Sequence, residues 1–221
     1  MKTYGVILAA GDSTRFDANV NKLFYKVNDK ELVLYPVETF LANDKIDEVI
    51  IVSSKSNKPE LEKLLTKHQN VSIILGGDTR QESEYCALKH LKNKATDDCL
   101  IVIHDAARSF ISSKLLTNLV KIAKQQGSAA PYLENCKFYD LEKNEIVDYK
   151  KIVDIQTPQI YRYKELFECY SFLSNNNITG MVDTTESMFM FNKFQTYVIR
   201  GEDSNFKITY KSDLENFEKA N

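Results

Sequence analysis

Short apolar runs rich in Val and Ile alternate, through the first half of the chain, with longer stretches whose apolar positions recur at helical spacing. Gly5–Ala10 (GVILAA), Glu48–Ser53 (EVIIVS), Val71–Leu75 and Cys99–His104 (CLIVIH) read as strands without a polar face. Between them, Leu32–Leu41 puts Leu34, Val37, Phe40 and Leu41 on one face, and Lys58–His68 turns Leu61, Leu64 and Leu65 inward. Gln81–Leu91 and Ser113–Gln125 are the next predicted helices. Continuous apolar strands separated by helices imply a parallel sheet covered on both faces. Right-handed crossovers then make a doubly wound, Rossmann-like α/β fold, whose ligands sit beyond the carboxyl ends of the strands.

The second half changes character. Cys136–Asp140 and Glu145–Tyr149 flank a polar tip, Leu141–Asn144, and read as a projecting β-hairpin arm. Helices are predicted near Tyr163–Leu173 and Thr184–Phe191, with the Asn-rich loop Asn175–Asn177 between them. Phe194–Arg200 reads as a strand and Ser212–Lys219 as a terminal helix. With no repeat or linker, residues 1–221 are expected to form one domain carrying an arm at about 133–152.

Composition narrows the function classes. A chain of 221 residues, 43% hydrophobic and 27% charged, can bury a core without disulfide or metal staples. Its net charge of −2 supplies no bulk cationic field for nucleic acid or an anionic membrane. Any bound anion must then be met by a local cluster of Lys and Arg. The run Gly5–Ala10, ended by Asp12, is too short for a secretory or membrane segment. Cys86, Cys99, Cys136 and Cys169 form no CxxC pair, so reduced thiols in a cytoplasm are expected rather than a zinc site.

Three turns stand where such a sheet presents its ligands. The first, Leu8-Ala9-Ala10-Gly11-Asp12-Ser13-Thr14-Arg15, is followed by Lys22. Its small side chains let phosphate oxygens reach backbone N–H groups, and the two cations add charge-assisted contacts. It is neither a Walker loop nor GxGxxG, which removes support for those nucleotide classes and for a dinucleotide oxidoreductase. The plainer reading is a turn with two solvated cations. The second, Gly76-Gly77-Asp78-Thr79-Arg80, precedes the helix carrying Ser83 and by itself reads equally as a simple connection. The third is His104-Asp105-Ala106-Ala107-Arg108. A carboxylate at a strand's carboxyl end beside phosphate-binding turns is placed to hold a hard divalent cation together with substrate phosphates. Arg108 can instead pair with Asp105, and His104 reads as a hydrogen-bonded strand residue. Weaker segments are Gln156-Thr157-Pro158-Gln159, Asp183 as a helix cap, and Asn205-Phe206-Lys207-Ile208-Thr209.

Together and in this order, LAAG…R…K, GG-x-x-R-x-x-S, HDAAR, QTPQ and N-x-K-I-T resemble the 2-C-methyl-D-erythritol 4-phosphate cytidylyltransferase family, from Tyr4 to about Leu214. Ribitol-phosphate cytidylyltransferases are near relatives of it. The resemblance implies a Mg²⁺-dependent transfer of CMP from CTP to a polyol phosphate, in a homodimer whose arms help build each other's acceptor sites. It makes Arg15, Lys22 and Lys207 the catalytic cations. Ala9, Ala10, Gly11, Asp12 and Ser13 become the phosphate and ribose loop, and Gly77, Asp78 and Ser83 the cytosine contacts. Asp105 and Ala106 lie toward the nucleotide, with Asp105 also toward the metal. Arg108 and Thr157 lie toward the acceptor.

The chain departs from the family pattern at several places. Asn21 stands where the pattern has proline, Ser13 where it has glycine, and Ser109 where it has proline. On the acceptor side, Tyr149 replaces an arginine, leaving Lys150 and Lys151 as substitute cations, and Glu134-Asn135 replaces an Asp-Thr pair. Ribitol 5-phosphate or another polyol phosphate is therefore the alternative acceptor. A non-catalytic nucleotide-binding protein is a further alternative, against which the retained Arg15, Lys22, Asp105 and Lys207 argue.

Overall fold

The computed structural model describes residues 1–11, 13, 15–17, 20–134, 139–146 and 152–220. In chain order these form β1 (Thr3–Ala9), β2 (Lys26–Val27), β3 (Lys30–Glu31), α1 (Leu34–Leu41), β4 (Glu48–Ser53) and α2 (Lys58–Leu65). Then follow β5 (Val71–Leu75), α3 (Arg80–Leu91), β6 (Leu100–Asp105), α4 (Ser113–Gln126), β7 (Ser128–Leu133), β8 (Tyr139–Asp140) and β9 (Glu145–Ile146). The chain continues through β10 (Asp154–Ile155), β11 (Gln159–Arg162), α5 (Tyr163–Asn175), α6 (Thr184–Asn192), β12 (Val198–Arg200) and α7 (Lys211–Ala220).

The main sheet runs β10-β7-β11-β6-β1-β4-β5, with β12 paired to β7. β1, β4, β5 and β6 are mutually parallel, and β11 lies antiparallel between β6 and β7. Side-chain alternation divides the core into two layers, as period two requires. Ile7, Ile51 and Val102 face α1, α2 and α4, through Phe40, Leu61 and Leu116 among others. Val6, Ile50 and Ile103 face α3, α5 and α6, through Leu88, Leu166 and Met188. Helices on both faces explain why the strands are apolar along their whole length. The chain leaves β1 toward β4 on one side and returns as β6 on the other, so the strand order reverses at β1. A crevice opens at the carboxyl ends there.

The parallel half matches its expected elements, with Glu48–Ser53 and Val71–Leu75 coinciding. Leu32 and Val33 stand outside α1, and the strand expected over Phe194–Arg200 is confined to Val198–Arg200. The second half adds more sheet than its pattern announces, since β7, β10 and β11 extend the parallel core. Pro131 inside β7 disguises that strand; its carbonyl accepts from Gln156 N at 2.8 Å while its ring occupies the donor position. The described part of the arm is a hairpin, with Tyr139 opposite Ile146 and Asp140 opposite Glu145. Among the described residues no helix is long and apolar enough to cross a membrane.

Candidate active site

The crevice is a cavity of about 340 Å³ walled by three segments that leave the same sheet edge. Parallel register puts Leu8 of β1 beside Asp105 of β6, so the Ala9–Gly11 turn and the turn after Asp105 begin side by side. The first turn is tied down by Asn57, whose amide donates to the Ala9 carbonyl at 3.0 Å. Asn57 in turn accepts from the Asn21 amide at 2.8 Å. Asn21 caps the short 3-10 turn Lys22–Phe24, its Oδ1 accepting from Leu23 N at 3.0 Å. Lys22 is thereby presented to the cavity, and its Nζ donates to the Ile208 carbonyl at 2.9 Å.

The second wall is the Gly76-Gly77 turn and the start of α3. A Cβ on Gly76 would lie 2.5 Å from Ser83 Oγ, and one on Gly77 would lie 2.4 Å from Glu82 Cβ. The pair is therefore required by close approach of the helix. Thr79 opens α3 with a capping box: its hydroxyl accepts from Glu82 N at 3.1 Å, and the Glu82 carboxylate accepts from Thr79 N at 3.2 Å. That carboxylate also accepts from Asp78 N at 2.8 Å. Arg80, at the first helical position, is thus directed inward.

The third wall centres on Asp105. Its Oδ2 accepts from Lys207 Nζ at 2.7 Å and its Oδ1 from Arg80 Nε at 3.3 Å. Burial alone would push this carboxyl up, but the Arg80 and Lys207 cations outweigh it and hold it well below the usual range. Lys22 is shifted down from the ordinary lysine value by partial burial, then by the like charges of Lys207 and Arg15. The lining includes Arg15, Lys22, Arg80 and Lys207 against Asp78 and Asp105, a local cationic excess inside a chain of net charge −2.

His104 is no base for this site. It is fully buried, and burial pushes its imidazole down to about 4. The Arg108 carbonyl, which can only accept, lies 3.0 Å from Nε2, so Nε2 carries the proton. Nδ1 then accepts from the Thr157 hydroxyl at 3.0 Å, and Thr157 Oγ accepts from Asp105 N at 3.1 Å. This chain of bonds fixes the backbone at Asp105.

Of the residues singled out by sequence, Ala9, Ala10, Gly11, Ser13, Arg15, Lys22, Gly77, Asp78, Ser83, Asp105 and Lys207 line this cavity together. Three do not. Ala106 is fully buried in the core, its N–H donating to the Leu8 carbonyl, because the chain turns inward after β6. Thr157 spends its hydroxyl on His104 and Asp105 and is 3% exposed. Arg108 donates to the Asn205 carbonyl at 2.9 Å, and the ion pairs of Asp105 are with Arg80 and Lys207, so the alternative Asp105–Arg108 bridge is not formed. Asp12, Lys150, Lys151, Tyr149 and Asn135 lie outside the described residues. Asp183 caps α6, accepting from Glu186 N at 2.8 Å. Arg80 stands in the second turn's motif, but its link to Asp105 spans 25 positions, beyond any local pattern.

The sequence profile of the IspD family, 2-C-methyl-D-erythritol 4-phosphate cytidylyltransferase, matches residues 4–219. The chain belongs to that family. It is 34% identical to the bifunctional enzyme IspD/IspF of Pelagibacter ubique, over 97% of this chain and 56% of that protein, so it spans about half of that relative's length. It is 30% identical to the ribitol-5-phosphate cytidylyltransferase of Lacticaseibacillus paracasei, over 95% of this chain and 93% of the other. The crystal structure of 2-C-methyl-D-erythritol 4-phosphate cytidylyltransferase from Francisella tularensis superposes with a TM-score of 0.81, at 26% identity and 99% coverage of both chains. Its central α/β sheet is therefore a nucleotidyltransferase fold of the IspD type.

Proposed function

We propose that this IspD-family chain transfers CMP from CTP to 2-C-methyl-D-erythritol 4-phosphate, releasing pyrophosphate in isoprenoid precursor synthesis. The observation that carries the reading is the cationic cavity at the β1/β6 edge, where Arg15, Lys22 and Lys207 converge. That is the equipment for gathering anions. A phosphate monoester is already an anionic nucleophile, so its oxygen can attack the α-phosphorus of CTP without losing a proton to the protein. The P–O bond to the β-phosphate then breaks, and pyrophosphate carries away the electron pair. What the site must supply is charge stabilisation, and preorganised cations supply it best.

Within this reading the Ala9–Ser13 turn cradles phosphates and ribose, and Gly77, Asp78 and Ser83 face the cytosine. Lys22 and Arg15 neutralise the triphosphate and the charge growing at the α-phosphorus, and Lys207 joins them. Among the described residues no group of three or more His, Cys, Asp or Glu side chains is placed to hold a metal. One carboxylate beside a phosphate cradle nevertheless fits Mg²⁺, which keeps its waters and takes only one or two protein oxygens plus substrate phosphates. Asp105 is the residue that would meet it, and bound Mg²⁺ would supply further neutralisation of the phosphates.

The acceptor side is assigned more broadly, to polyol phosphates, with Lys150 and Lys151 as its cations and Arg108 and Thr157 behind it as supports. Ribitol 5-phosphate is the second reading, favoured by Tyr149 and Glu134-Asn135 at family acceptor positions and by the likeness to a ribitol-5-phosphate cytidylyltransferase. The same reading has two chains joined through the 133–152 arm; among the described residues its hairpin pairs with no further strand, and Leu141 at its tip is 88% exposed. Among the described residues Cys86, Cys99 and Cys169 are free thiols, which suits a cytoplasmic setting.

The test is pyrophosphate release by purified protein with CTP, Mg²⁺ and a panel of polyol phosphates. Release with methylerythritol phosphate is expected. Release with ribitol 5-phosphate alone transfers the assignment to the second reading, and release with none overturns the catalytic reading. Light scattering that gives 25.4 kDa, the mass of one chain, would overturn the dimer.

A further inference from the structure

We infer that Glu84 is a positioning residue for this reaction: from the core between α3, α5 and α6 it holds the Arg80 guanidinium so that Nε rests on Asp105. The inference rests on the cytidylyltransferase reading for its catalytic consequence, and on geometry alone for the contact.

Glu84 lies four residues after Arg80 on α3 and is completely buried. A carboxylate without solvent is tolerated only when its oxygens are paired and hydrogen-bonded. Here the partners come from three elements. Arg80 Nη1 of α3 forms an ion pair with Oε1, and the Tyr170 hydroxyl of α5 donates to Oε2. The Thr184 hydroxyl of α6 lies 3.3 Å from Oε1 and 3.2 Å from Oε2. Three elements therefore locate the Glu84 carboxylate.

Arg80 is different. Its side chain retains 19% exposure at the cavity wall, and an arginine there has several rotamers open to it. A planar guanidinium held at Nη1 by Glu84 and at Nε by Asp105 loses that freedom, because two points on a rigid fork set its plane. Asp105 is then held between Arg80 on one oxygen and Lys207 on the other. The core of the α5/α6 side thus reaches the phosphate-handling cations through one buried carboxylate.

A merely structural glutamate would neutralise Arg80 and fill space. A positioning glutamate acts through Arg80, and the two are separable. Glu84→Gln keeps the size and the Thr184 and Tyr170 partners but removes the charge. It is expected to lower kcat about tenfold or more, with KM for CTP changed less than about threefold. In an Arg80→Gln background the same substitution should cost less than about twofold, because the group it acts through is gone. In the ligand-free protein, the wild type should show a slowly exchanging Arg80 Nε–H resonance, and Glu84→Gln should lose it. If that variant does not fold, Tyr170→Phe, which removes one hydroxyl, should show a smaller kcat loss with the same non-additivity. Unchanged kcat, or losses that multiply fully with Arg80→Gln, overturns the inference. An intact Arg80 resonance in Glu84→Gln does the same. A wild-type chain with no transferase activity instead defeats the functional reading, while the resonance still reports on Arg80.

Discussion

The Ser13 hydroxyl donates to Asn21 Oδ1 at 3.1 Å, joining two positions where this chain departs from its family pattern. The pattern has glycine and proline there; this chain has a serine at φ 57° and a hydrogen-bonding asparagine. Proline holds a loop by fixing φ, whereas asparagine holds it through partners. Those partners run in series from Ser13 to Asn21, Asn57 and the Ala9 carbonyl, bracing both ends of the segment that carries Arg15 and Lys22.

Asn21→Ala should therefore lower stability by about 1 kcal/mol, as loss of a capping side chain does, and reduce kcat/KM for CTP. Asn21→Pro should be tolerated better, because φ at Asn21 is already −71°. Thermal melts and steady-state kinetics on the two variants decide it. Equal damage in both would show that the backbone angle is not what the site needs.

Removal of either early cation should stop turnover without unfolding the chain. Arg15 is exposed, and Lys22 gives up one hydrogen bond to the Ile208 carbonyl. Arg15→Ala and Lys22→Ala should thus cost about 1 kcal/mol or less in denaturant melts. Each should lower kcat on the order of 10²–10³, by analogy with deletion of one oxyanion-stabilising donor. Near-normal turnover in either variant would remove that side chain from the catalytic assignment.

His104 predicts how stability responds to acid. Its folded value of about 4 lies below the ordinary value of 6.5, so between those limits the unfolded chain binds the extra proton. Its effect is absent above about pH 6.5. As pH falls from there toward about 4 the folded state loses ground, by up to on the order of 3 kcal/mol, and below about 4 the loss levels off. His104→Gln should flatten the melting-temperature profile across that window relative to wild type. A mutant profile parallel to wild type there would show that another group carries the acid sensitivity.

The parallel core and most of the cavity could be read from sequence because both are local. Apolar runs mark β1, β4, β5 and β6, and the small-residue turns follow them directly. What escaped is non-local or polar. Pro131 broke the pattern of β7, and that strand exists through pairing with β11 and β12, which are distant in sequence. The buried face of α3 includes Gln81, Ser83 and Glu84 beside Ala87, Leu88 and Leu91, so apolar periodicity reported only its second half. Nothing local marks Glu84 as buried, since glutamate is almost never fully buried unless paired. Its partners Tyr170 and Thr184 lie 86 and 100 positions away.

Two glycines in the cavity wall separate what the fold requires from what the ligand requires. At Gly77 a methyl group would meet Glu82 Cβ at 2.4 Å and its Oε2 at 2.8 Å. Gly77→Ala should therefore disturb the capping box that starts α3, at a cost of about 1–3 kcal/mol, and misplace Arg80 with it. At Gly11 a methyl group would meet nothing within 4 Å, because it would project into open space. Gly11→Ala should leave stability within about 0.5 kcal/mol of wild type. If phosphates approach this turn closely, the same methyl should raise KM for CTP about tenfold or more, by keeping their oxygens from the backbone N–H groups. Calorimetric melting and a CTP titration on the two variants give four numbers with an expected order. A Gly11→Ala enzyme with an unaltered KM would place the triphosphate elsewhere in the cavity.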